Sequence, residues 1–171
     1  NNKKRFPIKD AKLKKLQREC VLLDDDIRWL VALISDSGMR LSEAVGLLVD
    51  DIVLDAEQPH ITLVKHPHRR LKTDASERVI PLVGASLWAA RRIKENTTSR
   101  FCFSRYCSED NCNSNSASAA INKWIKTIVG SEGVIHGLRH GFRDRLRAVE
   151  APVDMIDQLG GGRLRSGGQG Y

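Results

Sequence analysis

Two short stretches constrain the fold of this chain most: "HITLVK", residues 60–65, and "ERVIPL", residues 77–82, each with the alternation and β-branched content of a strand. Between them lies "HPHRRLKTDAS", a basic turn, so the two runs are predicted to pair as one antiparallel hairpin. The segments on either side repeat their apolar residues near the 3.6-residue helical period. A lone hairpin among helices predicts a mainly α, α+β class: a helical bundle with a small antiparallel β-sheet. The hairpin would carry Lys65, Arg69, Arg70 and Lys72 on or near its turn.

Residues 1–23 are polar and lysine-rich and read as a basic lead or linker, which leaves 24–171 as the folded domain. "DDDIRWLVALISDSG" opens with acidic cap residues and places Ile27, Leu30, Val31 and Ile34 at helical spacing, with Gly38 as the stop. A second helix is expected from about Leu41. After the hairpin, "ASLWAARRIKEN" offers Leu87, Trp88 and Ile93 to a core, "CSEDNCNSNS" reads as a loop, and "ASAAINKWIKTIVG" as a helix closed by Gly130. In "HGLRHGFRDRLRAVEAP", Leu138, Phe142, Leu146 and Val149 share one arc, whereas His136, Arg139, His140, Arg143 and Arg147 fill the adjoining one. A short helix "VDMIDQLG" follows, and then a glycine-rich stretch that ends in Tyr171.

Against 28 Lys and Arg stand 21 Asp and Glu, a formal net charge of +7, and this excess favours polyanionic partners, nucleic acid first. No apolar run approaches the ~20 residues of a membrane span and no apolar stretch follows the basic start, so a soluble cytoplasmic protein is the default expectation. Cys20, Cys102, Cys107 and Cys112 lack the paired close spacing of a structural zinc site and are expected to be reduced, structural thiols.

Four pieces, "SGMRLSEAVGL", "LKTDASERVIPL", "HGLRHGF" and "GGRLRSGGQGY", resemble in that order the catalytic domain of the tyrosine recombinases, the phage integrase family. The resemblance spans about Asp24 to Tyr171. It implies that Arg40 is the first family arginine with Glu43 after it, that Lys72 is the hairpin lysine, that His136 to Arg139 is the His-x-x-Arg box, and that Tyr171 is the nucleophile. It also implies attachment-site DNA as substrate, a homotetramer in the complete synaptic complex with a monomer as the isolated domain, no cofactor or metal, and a bacterial cytoplasm or nucleoid. An N-terminal DNA-clamping domain and a tail after the tyrosine are not visible in these residues.

These residue types suit the chemistry on physical grounds. Two guanidiniums can clamp the non-bridging oxygens of a phosphodiester while charge builds on them, the role expected of Arg40 and Arg139. A phenol with a pKa of ~10 needs a proton acceptor, and His136 lies one turn from Arg139. Lys72 would protonate the leaving 5′ oxygen. Lys65, Arg69, Arg70, His140, Arg143 and Arg163 are the expected DNA contacts.

Two departures from the family pattern stand out. Gly162 occupies the place where the family has His or Trp about nine residues before the tyrosine, and a glycine supplies neither a side-chain donor nor a ring. Gly137 stands where many members carry an acidic residue. Two alternative readings stay open: a non-catalytic DNA-binding module with the same fold, and a type IB topoisomerase-like enzyme.

Overall fold

The computed structural model describes residues 8–131, 133–149 and 153–160. Within them the chain forms α1 (Asp10–Leu23), α2 (Asp26–Ser35), α3 (Leu41–Val45), β1 (Ile52–Val53), β2 (His60–Leu63), β3 (Arg78–Pro81), α4 (Gly84–Asn96), α5 (Ser114–Val129), α6 (Ile135–Ala148) and α7 (Val153–Gly160). The mainly helical class with a small sheet is the one expected. The hairpin forms with Ile61 opposite Ile80 and Leu63 opposite Arg78, and the two-residue β1 adds a third antiparallel strand beside β2.

The organising element is α2. Asp25 caps it by accepting from the Arg28 N–H at 3.0 Å, and every residue from Trp29 to Ser35 is buried. A helix apolar on all sides must be surrounded, and α1, α4, α5 and α6 all pack on it. Its widest contact is with α4, whose buried face is Ser86, Ala89, Ala90 and Ile93. The expected anchors Leu87 and Trp88 are only half-buried, because small residues let two helix axes approach while large ones move to the flank. At the end of α2, Asp36 accepts from Gln17 of α1, the Ala85 N–H of α4 and Arg145 of α6, a single carboxylate holding three helices.

Two expectations are corrected. From Asp10 the lead is not a linker but α1, and Leu13, Leu16 and Cys20 sit in the core at three- and four-residue spacing. In α6, Leu138 is buried and Phe142 and Leu146 are half-buried, but Val149 follows the last turn and is 74% exposed.

The four thiols are free. Burial pushes the Cys20 thiol up to about 12 and raises Cys102 further. Both should therefore resist alkylation in the native protein while Cys112 is modified first, an order that peptide mapping after brief iodoacetamide treatment would check.

Candidate active site

The loop between α2 and α3 is bent by Gly38, whose φ of +68° is a left-handed conformation. The Phe142 ring of α6 lies against its Cα, so a Cβ there would be 2.4 Å from Phe142 Cδ1. The bend aims the Gly38 carbonyl at α6, where it accepts from Arg139 Nη1 at 2.8 Å, and it starts α3 at Arg40. The two arginines named from the sequence are thus brought together by one turn. Arg40, His136 and Arg139 line a common cavity of about 40 Å³ with Ile34, Met39, Leu41 and Ile135.

Beneath the arginines lies Glu43, 1% exposed. Its carboxylate accepts from the Arg40 backbone N–H at 2.8 Å and Arg40 Nη1 at 3.3 Å, and from Arg78 Nη1 and Nη2 at 2.9 and 3.0 Å in a paired, fork-like contact. Burial raises its pKa, but the Arg78 hydrogen bonds and charge, with Arg40 behind them, more than offset that and hold the carboxyl below its ordinary 4.5. Arg139 is 7% exposed, and burial, with the charge of Arg40 second, lowers its pKa to about 10. It stays a cation at neutral pH, but one that the fold charges at a cost.

The hairpin reaches this cluster through Ser76, which is fully buried. Its hydroxyl lies 3.4 Å from Arg40 Nη1 and 3.1 Å from the Thr73 hydroxyl, and it accepts from the Thr73 N–H. Lys72, the residue before Thr73, is exposed. Helix α7 reaches the cluster with its C-terminal end: Arg78 Nε donates to the Leu159 carbonyl at 2.8 Å and Arg139 Nη2 to the Gly160 carbonyl. Guanidiniums complement the negative end of a helix dipole. A Cβ at Gly160 would fall 2.3 Å from Arg143 Nη1, so the tip of that flexible side chain would have to move aside.

His136 and His140 meet edge to face with ring centroids 4.6 Å apart. Lys65 is exposed and ion-paired with Asp74, and Arg70 is exposed. Arg69, expected as a DNA contact, is buried. The segment closes on itself through reciprocal backbone bonds between His66 and Arg69, which turn Arg69 inward and Arg70 outward. Arg69 is 4% exposed, lies against Gly46 and donates to the Val64 carbonyl at 3.1 Å. Gly162, Arg163 and Tyr171 lie outside the described residues.

Two participants were missed in the sequence: Ser76 and Arg78. Arg78 had a signal, because it shares the inward phase of its strand with Ile80, and an arginine on the core side of a strand needs a buried acid. Among the described residues no group of three or more His, Cys, Asp or Glu could hold a metal ion.

No curated protein sequence matches the chain. Solved structures do. The crystal structure of XerA recombinase is similar with a TM-score of 0.70 at 15% identity, over 96% of this chain and 57% of that one. XerH recombinase bound to palindromic difH substrate in a post-cleavage complex gives 0.67 at 19%, over 94% and 47%. A lambda integrase dimer bound to a COC′ core site gives 0.66 at 14%, over 96% and 47%. The chain therefore spans about half the length of the structures it matches. The sequence profile of the phage integrase family matches residues 10–163, and the chain belongs to that family, the tyrosine recombinases.

Proposed function

We propose that this chain is the catalytic core of a site-specific DNA recombinase that cuts and rejoins DNA through a 3′-phosphotyrosyl intermediate. The observation that carries the reading is the convergence of Arg40, His136 and Arg139 on one cavity above the buried Glu43. In the reaction, the Tyr171 oxygen attacks the scissile phosphorus and the phosphorus–5′-oxygen bond breaks. The phenolic proton passes to His136, and Lys72 delivers a proton to the departing 5′ oxygen. Arg40 and Arg139 hold the non-bridging oxygens, whose charge grows in the transition state. Attack by another 5′ hydroxyl reverses the step and joins the new strand. Residues 24–171 are read as the catalytic unit, with α1 packed on it; attachment-site DNA, a tetrameric complete assembly, a phage or prophage source and the bacterial cytoplasm belong to the same proposal.

The test is covalent trapping on a nicked suicide duplex by the chain and its Tyr171→Phe and Gly162→Trp variants. A denaturation-resistant protein–DNA band that Tyr171→Phe abolishes supports the reading, and Gly162→Trp should increase it by supplying the ring that the family pattern has at that position. DNA binding without any such band, in the chain and in Gly162→Trp, would leave the second reading, a recombinase fold kept for binding, which Gly162 itself favours.

The placement of the hairpin cations separates their roles. In a salt titration of duplex binding, Arg70→Ala should reduce the slope of log K against log salt by about one, the value for one lost phosphate contact. Arg69→Ala should leave the slope unchanged and lower the unfolding midpoint instead, as expected for a buried side chain.

A further inference from the structure

Outside the family's catalytic set, one side chain bonds the Arg40 helix α3, the hairpin that carries Lys72 and the end of α7. Arg78 is 9% exposed, and its guanidinium makes four hydrogen bonds: the paired contact with Glu43 of α3, the Ser76 carbonyl at 2.7 Å and the Leu159 carbonyl of α7 at 2.8 Å. Each of the three partners leads to the chemistry by a short route. Glu43 bonds Arg40. Ser76 bonds Thr73, next to Lys72. Leu159 precedes Gly160, whose carbonyl is held by Arg139, and the chain then runs on toward Tyr171.

We propose that Arg78 is a positioning residue that locks the Arg40 helix, the Lys72 hairpin and the helix leading to Tyr171 into one unit, so that its loss uncouples strand cleavage from DNA binding. A planar fork suits this task because one rigid group can satisfy a carboxylate with two parallel donors and still address two carbonyls with the rest. A lysine in the same place offers a point charge that reaches one partner at a time. The Arg78 guanidinium is turned into the fold, whereas the Arg70 and Lys65 side chains are exposed, so its effect on phosphate contacts made by the turn is small. Its effect on the clamp is large, since Arg40 is oriented through Glu43 and the last turn of α7 meets Arg78 and Arg139 through its carbonyls.

The inference rests on the recombinase reading for its catalytic arm and is independent of it for its structural arm. In the full chain, Arg78→Gln and Arg78→Lys are compared with Arg92→Gln, a control that breaks a different arginine contact, the Asp24 pair at 3.0 and 2.7 Å. Hydrogen exchange is expected to speed at least about tenfold in α7 for both Arg78 variants, with α2 and α4 unchanged. On the suicide duplex, the trapping rate should fall about 100-fold in Arg78→Gln, the scale of a small misplacement, while the dissociation constant stays within about threefold. Arg78→Lys, which keeps the charge near Glu43, should recover part of the trapping but not the α7 protection. Arg92→Gln should change neither α7 exchange nor the ratio of trapping to binding.

Unchanged α7 exchange in the Arg78 variants would overturn the proposal, as would a loss of DNA affinity equal to the loss of trapping. Should Arg78→Gln fail to fold, Arg78→Lys carries both readouts. A parent chain that binds DNA and never traps it would instead sink the recombinase reading, and α7 exchange would still decide the role of Arg78.

Discussion

Replacing Glu43 with glutamine is expected to destabilise the protein by about 3–5 kcal/mol, the scale of breaking a buried ion pair from one side. The carboxylate is the shared partner of Arg40 and Arg78, and the charge of Arg139 is also felt there. An amide keeps the shape but has one acceptor oxygen and no charge, so guanidiniums gathered around it would repel one another inside the fold. Urea unfolding of the two proteins would measure the difference. Its pH dependence follows from the direction of the Glu43 shift. The carboxyl is held below its ordinary 4.5 in the folded protein, so its stabilising contribution is complete above that value and is lost as pH falls through the depressed one. The gap between parent and Glu43→Gln should be widest near neutrality and should close in acid. A gap that stayed constant down to strongly acidic pH would show that packing, not charge, makes Glu43 necessary.

Much of this arrangement was legible in the sequence, and what was hidden has identifiable causes. The hairpin, α2 and α5 could be read because their apolar residues repeat at strand or helix period with little interruption. The convergence of Arg40, His136 and Arg139 was implied by the resemblance of their motifs to the tyrosine recombinases, and in the fold it is the bend at Gly38 and helix α6 that bring them to one cavity. Helix α1 was hidden because its core residues Leu13, Leu16 and Cys20 are separated by lysines that dominate the local composition. Arg69 and Arg70 are adjacent and chemically identical, and only the small bridge that closes at His66 decides which one faces inward. His66, paired with Asp51 at 2.8 Å and stacked on His68, fixes that turn through partners distant in sequence. Arg78 was overlooked because a cation in a strand reads as a solvent-facing residue until its register with Ile80 is considered.

Gly38 provides the second large effect, and it ties backbone conformation to the clamp. Gly38→Ala places a Cβ at a left-handed φ, which costs about 1–2 kcal/mol for an L-residue. The same Cβ would lie 2.4 Å from the Phe142 ring, and relieving an overpacked contact of that kind costs about 1–3 kcal/mol more. A Phe142→Ala background separates the two contributions, because it removes the ring that the Cβ would meet and leaves the left-handed φ in place. The loss on Gly38→Ala, read from denaturant unfolding, should be larger in the parent than in Phe142→Ala by the overpacking contribution, about 1–3 kcal/mol. Gly130→Ala is a control remote from the clamp: its φ is +97° with ψ 175°, and no atom lies within 4 Å of a Cβ built there, so it loses stability through the backbone alone. Because the Gly38 carbonyl accepts from Arg139 and the Phe142 ring belongs to the same helix, whatever shift relieves the clash must also move Arg139 relative to Arg40. Gly38→Ala should accordingly lose trapping beyond what its stability explains, whereas Gly130→Ala should trap like the parent. Equal losses on Gly38→Ala in the parent and in Phe142→Ala would mean that the Phe142 ring yields without cost, and the bend at Gly38 would then be set by backbone conformation alone.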